Sequence, residues 1–135
     1  MDELRWSQWY PLAQQSLSVP VPDVPGIYEI RTDHEFGRLR GQSRIVYIGS
    51  AARGNSPSLR KRLLGQHISN PNENLCRAGQ LLRQAGYSLE FRFATSSDGK
   101  TAEHMEARRL VDYEKEHWEL PPGNAAFPRA YYKIL

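Results

Sequence analysis

Gly26-Ile27-Tyr28-Glu29-Ile30-Arg31 and Ile45-Val46-Tyr47-Ile48-Gly49-Ser50 are two short runs that each carry one tyrosine, with a polar stretch between them. Both are rich in β-branched and aromatic residues and bounded by Gly, Pro or polar clusters, the signature of a strand. Side chains alternate along a strand, so Tyr28 shares a face with Ile30, and Tyr47 shares one with Ile45. If the two strands pair as neighbours, the two phenols lie side by side. A buried tyrosine seeks a partner for its hydroxyl, so such a pair either anchors a core or faces a polar ligand.

Upstream, residues 1–23 form an extension. Trp6, Trp9, Tyr10 and Leu12 are too apolar to be left in water, so this segment is expected to pack on the rest. Pro20, Pro22 and Pro25 impose an extended lead-in that has no place in a central strand. Between the two strands, Thr32 to Arg44 reads as a long polar loop. Its Arg38, Arg40 and Arg44 form either a phosphate-contacting finger or an ordinary mobile surface.

Downstream, Ser56-Pro57 reads as an N-cap followed by a first-turn proline, opening a helix over 57–66. Leu59, Leu63 and Leu64 form its apolar side, and Arg62 lies about 60° from Leu59, at the border of that stripe. A second helix is expected over about 73–85, opened by Asn72 or Asn74 and stopped by Gly86. Leu75, Ala78, Leu81, Leu82 and Ala85 would face in, and Arg77, Gln80, Arg83 and Gln84 out. Leu89, Phe91 and Phe93 alternate with Glu90 and Arg92 in a third strand. A last helix runs over about 101–118 with Thr101 as its cap.

That last helix carries the most informative side chain. Ala102, Glu106, Leu110, Tyr113 and His117 fall on one face, an apolar stripe interrupted by a carboxylate. An ionised carboxylate away from water is costly unless it is paired or bound to a metal. Glu106 is therefore half of a salt bridge, with Arg109 or Arg62, or else a ligand. Glu103, Glu114 and Glu116 read as ordinary helix surface.

The 135 residues suit one domain over 1–135 with a modest core. Lys and Arg total 18 against 15 acids, but residues 36–93 hold ten basic residues and two acids. A patch of that kind is the footprint expected of a phosphate-backbone binder, with Arg38, Arg40, Arg44, Arg53, Arg60 and Lys61 as candidate DNA contacts. The single Cys76 rules out an internal disulfide. No apolar run is long enough to span a bilayer and no leader pattern is present, so a soluble cytoplasmic protein is expected.

Gly26-Ile27-Tyr28 followed by Tyr47-Ile48-Gly49 resembles the pair of tripeptides that names the GIY-YIG nuclease superfamily. The resemblance spans residues 24–124. Relatives carry a catalytic arginine in the helix after the second tripeptide, which Leu59-Arg60-Lys61-Arg62-Leu63 matches at Arg62. They carry a metal-binding glutamate on a later helix, with an aliphatic residue four positions on and an aromatic seven on. Glu106, Leu110 and Tyr113 match. A proline-rich stretch and an asparagine follow in relatives, as Leu120-Pro121-Pro122-Gly123-Asn124 does here. Many relatives place a histidine four residues after the arginine, whereas His67 comes five after Arg62. On an ideal helix that is a rotation of about 140° rather than 40°. Either the helix tightens or ends near Gly65, or His67 is not in the family position.

The fold implied by the resemblance is α+β, a small three-stranded antiparallel sheet flanked by helices. The implied activity is metal-dependent hydrolysis of DNA phosphodiester bonds. Glu106 would hold a single Mg²⁺ or Mn²⁺, and Arg62 would clamp the phosphate. Tyr28 or Tyr47 would orient or deprotonate the attacking water, although a free phenol has a pKa near 10. Where some relatives place a lysine after the second tripeptide this chain has Ser50, as other members do. Most relatives attach the nuclease to separate DNA-binding domains, so a protein partner or dimer is expected to supply targeting. The alternative class is a catalytically silent nucleic-acid-binding module or partner-dependent subunit. The basic middle fits both classes. Glu106, which a pure binder gains nothing by burying, favours the enzyme.

Overall fold

The computed structural model describes residues 4–68 and 77–124. Within them the chain is α+β. Strands β1 (Tyr10–Pro11), β2 (Gly26–Gly37), β3 (Gln42–Ala51) and β4 (Leu89–Thr95) form one antiparallel sheet in the order β1-β4-β2-β3. Helices are α1 (Leu59–Arg62), which continues as a π-helical segment over Leu63–Ile68, then α2 (Arg77–Gln84) and α3 (Gly99–His117). The strand carrying Tyr28 is central. The strand carrying Tyr47 is its neighbour and the sheet edge, with Tyr28 opposite Gly49 and Ile30 opposite Tyr47.

The sheet has one strand more than expected. Tyr10–Pro11 pairs with Phe91 and Glu90, and Ser7 and Leu12 extend the contact through backbone bonds to the Phe93 and Leu89 carbonyls. Two residues are too short to show a period. The edge position also suits Pro11, which has no N–H to give.

The polar stretch after Tyr28 is not a long loop. The strands run on to Gly37 and from Gln42, leaving a four-residue turn closed by the Arg38 N–H on the Gly41 carbonyl, with Gly41 at φ +71°. Register shifts between Ile30 and Phe36 hide the alternation that would have shown it.

Two caps also sit elsewhere than expected. Ser58, not Ser56, accepts from the Lys61 N–H. The Leu59 and Arg60 N–H groups are taken by the Val24 and Pro22 carbonyls, so the proline-rich lead-in itself finishes the helix start. Asp98, not Thr101, caps α3 by accepting from the Thr101 N–H at 2.7 Å. Gly86, at φ +97°, stops α2 as expected. On that helix, however, Leu81 is exposed and Arg83 turns in to the Leu12 carbonyl. The proposed start of α2 at Asn72 or Asn74, Cys76, and the expected return of residues 125–135 onto the core lie outside the described residues.

One face of the sheet packs Tyr28, Ile30 and Phe91 with Leu12, Val21, Leu59 and Leu63. The other face carries α3 and a charged centre. Glu29, 0% exposed, receives forked bonds from Arg92 (2.9 and 2.6 Å) and Arg109 (3.0 and 2.7 Å). Trp6 covers Arg92 at 4.0 Å and Trp9 covers Arg31 at 3.9 Å, so stacking on guanidinium planes fastens the N-terminal segment. No described helix is long and apolar enough to cross a membrane.

Candidate active site

The two tripeptides meet at Gly49. A Cβ there would lie 2.6 Å from ring atoms of both Tyr28 and Tyr47, so only glycine admits both rings. The rings stand 5.9 Å apart between centroids, inclined by 39°. Gly26 serves a similar purpose one strand away: a Cβ would strike the Ala94 carbonyl and fall 2.5 Å from Leu59 Cδ1, so glycine lets α1 lie against the sheet.

The spacing from Arg62 to His67 is resolved by geometry that neither sequence alternative considered. The helix neither tightens nor ends; it widens into a π segment over Leu63–Ile68. A π-helix closes i→i+5 bonds, so residues five apart come onto one face. His67 Nε2 thereby reaches the Tyr28 hydroxyl at 3.0 Å, and its ring lies 6.3 Å from that of Tyr47. Tyr28 is 1% exposed. Burial holds its phenol well above the ordinary value; Tyr47 adds to this, and the Arg62 charge opposes it. Tyr47 is half-buried.

Glu106 comes from α3, across the edge of the sheet. One oxygen accepts from the Ser50 hydroxyl at 3.2 Å. Burial raises its carboxyl above the usual glutamate range. The Ser50 bond counters that, Glu103 reinforces it, and the charges of Arg53 and Arg62 pull it back. The salt bridge weighed from the sequence does not form. Arg109 is turned to Glu29, and neither Arg109 nor Arg62 pairs with Glu106. Glu106 is thus a half-buried carboxylate with a hydroxyl neighbour and no ion pair among the described residues. These hard oxygen donors fit Mg²⁺ or Mn²⁺, which binds through one or two carboxylates and keeps several waters.

Asn124 is used fully by the backbone. Its Oδ1 accepts from the Ile48 N–H at 3.0 Å and its Nδ2 donates to the Ile48 carbonyl at 2.9 Å. With the Gly123 N–H on the Val46 carbonyl at 2.7 Å, this closes the free edge of β3 between the two site residues Tyr47 and Gly49.

The basic residues divide into two groups. Arg53 and Arg62 lie close enough for their charges to act on Glu106, while Arg60 Nε holds the Val21 carbonyl at 2.9 Å and Lys61 is exposed. Arg38, Arg40 and Arg44 sit at the far end of the β2–β3 hairpin. Arg38 pairs with Glu119 at 2.9 Å and Arg44 with Glu90 at 3.5 Å, while Arg40 lies over the Trp118 ring. The sequence reading missed the Ser50–Glu106 contact and the Glu29 centre. An unpaired-looking Glu in a run of buried strand residues was the available signal for the second.

Comparison with models of known families, with characterised proteins and with solved structures finds no match to this chain.

Proposed function

We propose that this chain is a GIY-YIG-type endonuclease that hydrolyses DNA phosphodiester bonds with a single Mg²⁺ or Mn²⁺ held at Glu106. The observation that carries the reading is the state of Glu106: a half-buried carboxylate with no ion pair among the described residues, braced by Ser50 and within reach of the Arg53 and Arg62 charges. A structural carboxylate in this fold looks different, as Glu29 between two arginines demonstrates. A silent binding module has no use for a half-buried carboxylate without an ion-pair partner.

A divalent ion held by Glu106 would supply Lewis-acid stabilisation of the charge that develops on the phosphate. Arg62 offers planar paired donors to the non-bridging oxygens, a task for which lysine is a poor substitute. Tyr47, the more accessible phenol, takes the proton of the attacking water. Tyr28 is the wrong group for that, because burial keeps it neutral. A neutral Tyr28, hydrogen-bonded to His67 Nε2 and donating to Tyr47, stabilises the Tyr47 phenolate. Asn124 holds the β3 edge in place and contacts no substrate. Targeting to particular DNA falls to a protein partner or a second copy of the chain. Supercoiled plasmid incubated with Mg²⁺, Mn²⁺ or EDTA tests the reading: nicking with either metal and none in EDTA is expected, and intact plasmid under all three conditions sinks it.

A further inference from the structure

A groove of about 490 Å³ opens between β1, the start of β4 and the end of α2. Its walls include Leu12, Gln14, Arg83, Tyr87, Ser88 and Leu89, and no carboxylate is among the lining residues. Arg83 is half-buried there and its one hydrogen bond among the described residues goes to the Leu12 carbonyl, at 2.7 Å through Nη2. The rest of its guanidinium donors, the Gln14 amide and the Ser88 hydroxyl have no partner among the described residues. Asp33, the carboxylate hydrogen-bonded beside Ser88, is occupied by the Ser88 N–H at 3.0 Å and by His34 at 2.9 Å. Tyr87 is fixed at the rim by stacking on His34, centroids 3.9 Å apart. A half-buried guanidinium without a counter-charge in a donor-lined groove is an arrangement suited to an anion.

We infer that this groove binds a phosphate group, with Arg83 as its fork and Gln14 and Ser88 as supporting donors. The position suggests where such a phosphate comes from. Leu12 and Leu89 belong to the same core as Tyr28, so the groove lies on the tyrosine face of the sheet. Tyr28 pairs with Phe93 and Thr32 with Leu89, four residues or about 13 Å along the strands, and β3 lies two strand spacings, about 10 Å, across the sheet from β4, so roughly 16 Å separate the two sites. At 3.4 Å per base step that is roughly five steps of duplex. A phosphodiester of the DNA being cut is therefore within reach, and this arm of the inference rests on the nuclease reading. A free phosphate or mononucleotide offers the same chemistry without it.

The test uses Gln14→Glu, an exposed position whose change leaves the Arg83–Leu12 brace intact, with Arg83→Lys as a second variant that keeps the charge and loses the fork. Binding of a short duplex is followed by anisotropy between 50 and 200 mM salt. Inorganic phosphate and thymidine 5′-monophosphate are titrated while the Ser88 and Leu89 amide shifts are read. Loss of one phosphate contact lowers the log–log salt slope by about 0.9, so affinity should vary roughly threefold less over that range. That result in Gln14→Glu, with a weaker effect in Arg83→Lys, assigns the groove to the DNA backbone. Saturable shifts with phosphate or the mononucleotide in wild type but not in Gln14→Glu, with an unchanged duplex slope, assign it to a free phosphate. Neither change, in a protein that nicks plasmid, overturns the groove and leaves the nuclease reading standing. Phosphate binding in a protein that never nicks plasmid does the reverse.

Discussion

Replacing Glu106 by Gln keeps the shape of the side chain and removes its charge, and the structure says what that should do to stability. If Glu106 were half of a buried ion pair, the change would strand a cation at a cost of about 3–5 kcal/mol. For 135 residues at about 2.1 cal/mol/K each, the unfolding entropy is roughly 0.28 kcal/mol/K, so Tm would fall by about 11–18 °C. The geometry predicts otherwise. Only the Ser50 hydrogen bond is touched, and a Gln oxygen can still accept it, so the loss is at most about 1 kcal/mol, or roughly 4 °C. The raised carboxyl pKa adds an opposite effect. Glu106 binds its proton more tightly in the folded state, so in wild type its contribution falls as pH rises through and above the usual glutamate range. The variant lacks that penalty and should equal or exceed wild type in EDTA near neutral pH. Glu29→Gln is the internal control, because Arg92 and Arg109 would then face a neutral amide, and it should show the full drop. Calorimetry of the three proteins in EDTA decides the matter. A fall of more than about 10 °C in Glu106→Gln, matching Glu29→Gln, would refute the argument and make Glu106 structural.

Further expectations follow from the same geometry. Arg62→Lys should slow cleavage about 10²-fold with little change in DNA affinity, whereas Arg60→Lys should leave the rate nearly intact; single-turnover rates on a labelled duplex separate them. Tyr47→Phe should cost about 10²–10⁴ in rate, and Tyr28→Phe only about tenfold through the lost hydrogen bond; equal losses in single-turnover assays would void the division of roles. Deleting Gly65 should convert the π segment to an α-helix that still brings His67 onto the Arg62 face, four residues on. Inserting an alanine after Gly65 should carry His67 away, and NMR of the His67 ring against Tyr28 would show the contact kept in the first and lost in the second.

Much of the frame was legible because it rests on short-range chemistry. The strand runs around Tyr28 and Tyr47 announce themselves by β-branched composition, and the α3 stripe by its 3.6-residue period, broken by Glu106. The features that were hidden depend on partners distant in sequence. Tyr10–Pro11 becomes a strand only because β4 offers an edge. Ser58 replaces Ser56 as the cap because carbonyls from residues 22 and 24 take the first N–H groups of the helix. The π segment that brings His67 to Tyr28 was also hidden, because a helix read from sequence is read at 3.6 residues per turn. Likewise the basic stretch counts Arg38, Arg44 and Arg92 equally with Arg53 and Lys61, yet three of these five already hold carboxylates.

The most direct measurement of the central claim is cleavage of a labelled duplex with Mg²⁺ in H₂¹⁸O, followed by mass analysis of the ends. Water activated beside Tyr47, Arg62 and Glu106 should yield 5′-phosphates carrying one ¹⁸O and free 3′-hydroxyls, and Glu106→Gln, folded as wild type, should yield none. Unlabelled or protein-linked ends, or equal cleavage by wild type and Glu106→Gln, would contradict the account.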